Sequence, residues 1–490
     1  MTRIKMKESK FLEKILNIGR KIIPKSIFTF AQPIYHYILA VLGAIIYRFP
    51  AKRLNVIAVT GTKGKTTTVE LVNTILEAAG YKTALASTLR YKIGEKEWRN
   101  MFKMTLRGRF FTQRFLRQAV NEGCSHAVIE MSSEGVPQSR HKFLSLNALI
   151  FTNLAPEHIE SHGSYEKYVE AKLSIAKELE NPKKNASQKV LGSPRSRSAR
   201  LSSKYFSLGF LGRTDPVIIT NINDKEGEKF LDLNIKNKIP YSLNDAIGIK
   251  ADEKGSSFQI GKIVIHSKLP GLFNVSNMLG AIAYAKFAGI SFEDIKKGLE
   301  KIDFVRGRME KIEEGQKFDV VVDYAHTPDS LKAVYETYAP RSTKPASRAT
   351  DSSQKEKNSH HLICILGNTG GGRDTWKRPE MGKIADQYCD HIILSNEDPY
   401  DEDPKKIVDE IKVGIKNKPT EIIMDRRKAI NTAIKKADTL RQAQGPSNKN
   451  VAILITGKGT DPYIMGPKGT KQPWDDATVA REELQKIFKK

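Results

Sequence analysis

One short stretch constrains this chain more than any other. It is VTGTKGKTTT, Val59 to Thr68, set between the apolar β-rich run NVIAVT and the helical run TTVELVNTILEAAG that Gly80 closes. A Gly-rich turn between a strand and a helix aims backbone N–H groups and the helix N-terminus at an anion, commonly a phosphate. The usual phosphate loop places a Gly four residues before Gly-Lys-Ser/Thr. Counting back from Gly64, Lys65 and Thr66, that place is Val59, and only two residues separate Gly61 from Gly64. Gly61, Thr62, Lys63, Gly64, Lys65, Thr66 and Thr67 are therefore read as a short phosphate cradle. In it Lys65 neutralises β/γ-phosphates and the Thr66 hydroxyl is placed to ligate Mg²⁺.

Around this loop the pattern is strand, loop, helix. HAVIEMSS and NALIFTNL are further buried-strand candidates, so a mainly parallel, helix-covered sheet is expected. Short alternating runs such as FQIGKIVIHSKL and a helical NVSNMLGAIAYAKFAG follow. From near Arg308 the runs FDVVVDYA, HLICILG, HIILSN, EIIMD and VAILITG alternate with helical stretches, which predicts a separate C-terminal Rossmann-like domain. The expected fold class is α/β: a central P-loop-type, mainly parallel sheet ATPase domain at 54–305, a Rossmann-like domain at 306–490, and a short helical N-terminal segment at 1–53.

That segment differs in character. Phe11, Ile15, Ile18 and Ile22 recur at helical spacing among Lys10, Lys14, Arg20 and Lys21, a basic amphipathic helix. Next comes PIYHYILAVLGAIIYRF, apolar, interrupted by His36 and short for a span of roughly 20 apolar residues. A helix docked on the next domain and peripheral contact with the inner membrane face are the two readings. The order of features in a secretory signal is missing.

The chain carries a formal charge of +26 on 490 residues, but much of the excess is segregated. Lys183, Lys184, Lys189, Arg195, Arg197, Arg200 and Lys204 fall in a Ser-rich tract from Asn181 to Lys204 that reads as a mobile loop, and a second basic tract runs from Arg341 to Lys357. The loops at Pro340 to His361 and Arg441 to Asn450 are polar. A nucleic-acid binder would interleave aromatics with its basic stripes, and these tracts have none, so no nucleic-acid partner is expected. Cys124, Cys364 and Cys389 have neither the pairing nor the spacing of a disulfide framework or zinc site, which suits a reducing cytoplasm.

Glu130 closes HAVIE and His158 follows FTNLAPE. Both sit at the carboxyl ends of expected strands, where ligands of parallel sheets gather. Singly each is a weak signal. Their surroundings are more specific: VIEMSSEGVPQSR, IFTNLAPEHIESHGSYEKYVEAK, GLFNVSNMLGAIA, VRGRME, VVDYAHTPDSL, GNTGGGRDTWKRPEMG, EDPYDEDP and ITGKGTDPY occur in the order seen in Mur ligases. From about Leu54 onward the chain resembles the MurE type, the UDP-N-acetylmuramoyl-dipeptide:amino acid ligases of peptidoglycan synthesis, whose short phosphate loop is G-T-x-G-K-T-T.

The resemblance implies ATP-dependent amide bond formation. A substrate carboxylate takes the γ-phosphoryl group to form an acyl phosphate, and an amino acid's amine then displaces phosphate. It implies a two-Mg²⁺ site of Thr66, Glu130, His158 and Lys172, the last carbamylated in YVEAK. It implies nucleotide contacts from Asn274, Asn277, Arg308, Asp323 and His326, and muramoyl-peptide contacts from Ser132, Gln138 and Arg140. Arg373, Asp398, Tyr400, Gly457 and Asp461 fall at amino-acid-side positions. The partners implied are a UDP-muramoyl dipeptide and a free amino acid.

Three departures qualify this reading. Fewer than sixty residues precede the phosphate loop where the family carries a larger uridine-binding domain, so a lipid-linked muramoyl peptide is an alternative donor. The family's SSH reads SSE, with Glu134 in the His place. D-N-P-R reads Glu397, Asp398, Pro399, Tyr400, which removes a cation for the distal carboxylate of diaminopimelate and leaves Asp398 to attract an amine; KGHE reads KGTD at Asp461. Alternative functions are another amide ligase of the superfamily, of folylpolyglutamate or cyanophycin synthetase type, and a non-catalytic ATP-binding protein derived from a ligase.

Overall fold

The computed structural model describes residues 25–157, 159–180, 215–338, 360–443 and 450–489. The expected amphipathic helix at 11–22, His158, and the tracts 181–204 and 341–357 lie outside the described residues.

Val and Ile runs too apolar for a half-exposed strand form the centre of an eight-stranded sheet of order β4-β3-β2-β5-β1-β6-β7-β8. Its parallel members are β1 (Asn55–Thr60), β2 (Thr83–Ala86), β5 (His126–Met131), β6 (Leu146–Phe151), β7 (Val217–Asn221) and β8 (Asn237–Tyr241). The antiparallel hairpin β3 (Arg90–Ile93) and β4 (Lys96–Arg99), which no run of residues above announced, extends one edge. One face is covered by helices Lys65–Ala78, Leu272–Phe287 and Phe292–Glu300 and by an antiparallel sheet of β9 (Ile247–Asp252), β10 (Gly255–Ile260) and β11 (Ile263–Ser267). Helices Arg109–Asn121 and Tyr165–Ala176 cover the other.

A second sheet, order β12-β13-β17-β14-β15-β16, is built from β12 (Glu310–Lys311), β13 (Asp319–Val322), β14 (His360–Leu366), β15 (His391–Leu394), β16 (Thr420–Ile422) and β17 (Asn450–Ile455). All pairings are parallel except β12 with β13. Helices lie on both faces, over separate apolar cores. The helix Arg426–Ala443 runs into the segment expected as a loop from Arg441, its Ala429, Ile430, Ala433 and Ile434 buried against the sheet.

Near the N-terminus one helix, Lys25–Ile46, lies against Arg109–Asn121, with Gly43 packed against the backbone at Arg109. No described helix is long and apolar enough to cross a membrane.

The cysteine expectation is corrected. Cys364 on β14 is disulfide-bonded to Cys389, their Cα atoms 6.1 Å apart, and Cys124 is free and buried. The 25-residue separation concealed the pair because the crossover helix Lys377–Tyr388 carries the chain back to the neighbouring parallel strand.

Burial disfavours the charged form of two histidines. Burial lowers the imidazole of His126 at the start of β5 from its ordinary 6.5 to about 3. Burial, reinforced by Lys142, does the same to His141. Both are neutral in the fold, whereas the unfolded chain takes up their protons below about 6.5, so stability falls as pH drops from there towards 4. At about 1.4 kcal/mol per pH unit for each group, the thermal midpoint should fall steeply between pH 6.5 and 4, and His126→Gln should flatten that slope.

Candidate active site

The phosphate loop lies at the carboxyl end of β1 and owes its shape to two places where no Cβ fits. At Gly61 (φ 152°) a Cβ would sit 2.0 Å from Thr152 Oγ1, and at Gly64 (φ 80°) 2.2 Å from Asn277 Oδ1. The Thr62 N–H donates to the Asn153 carbonyl and the Lys63 N–H to Asn153 Oδ1, at 2.8 and 2.9 Å. These bonds lock the loop to the residues after β6. The helix Lys65–Ala78 begins without a side-chain cap, and Thr62 to Thr67 line the cavity, so its first turn faces open space.

That cavity holds about 1160 Å³ and takes its walls from the carboxyl ends of both sheets. From the first sheet come Glu130 at the end of β5, Ser132 just after it, and Asn153 and Glu157 after β6; from the second come Asp323 and His326 after β13, Arg373 after β14, Asp398 and Tyr400 after β15 and Asp461 after β17. Gln138, Arg140, Asn277 and Arg308 are also on the wall. Gly61, Lys172, Asn274 and Gly457 are not. Asn274 lies one turn below, accepting from Asn277 Nδ2 at 3.2 Å, and Gly457 is packed under Glu397, whose Oε2 a Cβ would meet at 2.4 Å.

Glu130 is buried and accepts from the Thr66 hydroxyl at 3.0 Å and from the backbone N–H of Thr88 at 2.8 Å. Arg308 reaches over from the second sheet, its guanidinium 3.5 Å from Thr66 Oγ1 and stacked on Tyr324. Lys172 is 2% exposed, not a surface lysine. Its Nζ donates to the Gly61 carbonyl at 2.8 Å beneath the loop. Burial, reinforced by Lys65, holds its ammonium well below the ordinary lysine range. Burial lowers Lys65 as well, although Glu130 and Glu157 oppose it. Asp323 accepts from the backbone N–H groups of Met309 and Ala325 at 2.8 and 2.7 Å, and burial raises its carboxyl.

Several residues on or behind this wall escaped the sequence reading. Glu157 bridges Lys63 at 3.0 Å and His326 at 2.8 Å, tying the phosphate loop to the second sheet. Its only sequence signal was its place in the APE run beside His158. Lys103, in the loop after β4, pairs with Asp398 and with Asp461, the latter at 3.0 Å. Lys458, fully buried, pairs with both carboxylates from the other side, at 3.0 and 3.4 Å. Asp398 is thus already held by two ammonium groups, which corrects the reading that it is free to attract an incoming amine. Tyr400 adopts a left-handed φ of 54° under the Arg373 guanidinium, 5.2 Å away.

Thr66 and Glu130 supply hard oxygen donors side by side, the kind Mg²⁺ takes when most of its shell is water and phosphate. No group of three His, Cys, Asp or Glu able to hold a metal ion occurs among the described residues. Lys172 fits such a set only as an anion.

Comparison with known proteins decides the family. The Mur ligase middle domain matches residues 59–285, and the Mur ligase glutamate ligase domain matches residues 307–459. A UDP-N-acetylmuramoyl-L-alanyl-D-glutamate--2,6-diaminopimelate ligase of Syntrophomonas wolfei is 33% identical over 91% of this chain and 81% of its own length. The chain belongs to the Mur ligase family. An Aquifex aeolicus protein of the same name is also 33% identical, over 90% of this Mur ligase and 80% of its own length. Among solved structures, one of a 2,6-diaminopimelate ligase aligns with a TM-score of 0.52 at 24% identity, covering 88% of this chain and 78% of its own. Mycobacterium tuberculosis folylpolyglutamate synthase aligns at 0.58 and 13% identity, covering 92% and 95%. At these identities the structural likeness is one of fold.

In this Mur ligase Gly64→Ala brings both a strained φ, costing about 1–2 kcal/mol, and a clash with Asn277. ATP affinity should fall about tenfold or more, read by calorimetric titration, while the second sheet's disulfide and core stay as they are.

Proposed function

We propose that this Mur ligase adds the third amino acid to UDP-N-acetylmuramoyl-L-Ala-D-Glu, at the expense of ATP, in peptidoglycan synthesis. The observation that carries the reading is convergence: a phosphate loop, a pair of oxygen donors, and cationic side chains from both sheets open into one cavity. The names borne by the relatives point to the same donor and to 2,6-diaminopimelate as acceptor. We assign 54–305 to ATP binding, 306–490 to completion of the site, and 1–53 to a helical N-terminal segment. The two sheets share no strand, which supports the division.

A carboxylate is a poor electrophile, so the donor's carboxylate oxygen attacks the γ-phosphorus, ADP leaves, and an acyl phosphate results. The acceptor's amine then adds to the acyl carbon and inorganic phosphate departs. The protein's part is positioning and charge neutralisation. Lys65 and the first turn of its helix receive the β/γ-phosphates, with Gly61, Thr62, Lys63, Gly64 and Thr67 shaping the cradle. Asn274 and Asn277 stand on the adenine side; Arg308, Asp323 and His326 grip the nucleotide from the second sheet. Ser132, Gln138 and Arg140 orient the muramoyl peptide, with the Arg140 guanidinium held by Gln138 Oε1 at 2.6 Å and the Leu106 carbonyl at 2.7 Å. Arg373, Asp398, Tyr400, Gly457 and Asp461 form the amino-acid side. There the Lys103–Lys458 clamp makes the carboxylates structural and leaves Arg373 to meet the acceptor's carboxylate.

Mg²⁺, two ions in this reading, would be held by Thr66, Glu130, His158 and carbamylated Lys172, and would screen phosphate charge. Lys172 suits that role: CO₂ adds to a neutral amine, and burial keeps this amine neutral. The product is an anion that no longer repels Mg²⁺. We place the protein in the cytoplasm, where ATP and the nucleotide donor are found, with peripheral contact at the inner membrane face through residues 1–50.

Phosphate release from ATP with Mg²⁺, the UDP-muramoyl dipeptide and a panel of amino acids, with mass detection of product, tests the reaction. Release should require both substrates and yield a tripeptide, and Lys65→Ala should cut the rate about 100-fold or more. ATP binding without product for any amino acid would discard the soluble donor and direct the assay to lipid-linked muramoyl peptides. Carbamylation is tested separately. With ¹³C-bicarbonate a carbamate resonance should appear in the wild type and vanish in Lys172→Arg, and turnover should fall about 100-fold or more in that variant.

A further inference from the structure

The helix Lys25–Ile46 is amphipathic in the opposite sense to a docked surface helix. Its small residues Ala40, Gly43 and Ala44 face the protein, whereas Ile34, Ile38, Leu42 and Ile45 point outward on the other side, 61%, 51%, 43% and 53% exposed. Helical spacing of i, i+4, i+8 and i+11 puts these four in one stripe. An ordinary soluble surface does not keep such a continuous apolar row.

The helix itself, the residues that follow it and the helix beneath are basic. No acidic residue occurs between Lys25 and Val69, or between Asn100 and Asn121 on the helix beneath. At the end of the stripe Arg117 donates to the carbonyls of Tyr47 and Arg48, closing the helix C-terminus. The like charges of Arg53 and Arg48 act on Arg117, so three guanidinium groups share this corner. A two-fold pairing of the stripe between copies of the chain would bring the two basic helices and their Arg48–Arg53–Arg117 corners together. An anionic bilayer instead satisfies both features, accepting the apolar row below its headgroups and the guanidinium groups at their phosphates.

We propose that the Ile34–Ile45 face of this helix lies in the plane of an anionic membrane. The inference deepens the peripheral contact proposed above and does not depend on the ligase chemistry; vesicle binding and product formation are measured apart, so either can fail alone. Gln32 and Pro33 of the same helix line the large cavity. Docking in this orientation therefore sets the cavity mouth at headgroup level.

The test is flotation of the full chain with phosphatidylcholine vesicles, with and without phosphatidylglycerol, beside sedimentation velocity without lipid. The wild type should float with the phosphatidylglycerol vesicles at low salt and much less with phosphatidylcholine alone. The double variant Ile38→Asn, Ile45→Asn should float roughly tenfold less while its ATP affinity and thermal midpoint stay unchanged. Equal flotation of variant and wild type would overturn the proposal. So would a wild type that does not float with phosphatidylglycerol, whether it sediments as a monomer or as a dimer that the variant dissociates.

Discussion

The site depends on how closely the backbone of the phosphate loop approaches its neighbours. With Cβ atoms at 61 and 64 the loop would be driven off Thr152 after β6 and off Asn277 on the helix Leu272–Phe287. Without them, three segments distant in sequence meet at one strand end, and the buried Nζ of Lys172 can reach the Gly61 carbonyl from below. The first helical turn is thereby left uncapped, facing the cavity.

Charge organises the rest. Two lysines of the cavity wall have carboxylate partners, Lys63 with Glu157 and Lys103 with Asp398 and Asp461, and buried Lys458 holds the latter two carboxylates from behind. Of these, the Lys103 pairs cross between the two sheets and hold their carboxyl ends together, as does the contact of His326 with Glu157. Lys65 and Lys172 are different. Both are desolvated near each other, and burial disfavours their charged forms. An arriving polyanion relieves that penalty at Lys65, and conversion to an anion would relieve it at Lys172. Desolvated lysines thus lie at the phosphate loop, on and beneath the cavity wall.

Charge pairing also shapes the wall around Asp398 and Tyr400. A Tyr at 400 has no charge to offer, and its left-handed backbone leaves the ring beneath Arg373. Lys103 enters from the loop after β4, part of a hairpin edge whose short strands showed no pattern of their own. The wall around Arg373 and Tyr400 is thus built by both sheets.

By itself the sequence determined the strand–loop–helix order, the parallel sheets and the phosphate loop, because these rest on local periodicity and on glycines read a few residues at a time. It also carried the ordered motifs that place the chain among Mur ligases. Only the tertiary structure decided which residues meet. The Cys364–Cys389 bond, the Glu157 bridge, the two-lysine clamp on Asp398 and Asp461, and the outward apolar face of the helix Lys25–Ile46 all depend on packing between segments 20 or more residues apart. Periodicity shows that a helix has two faces, but which face is covered depends on what the rest of the chain brings against it.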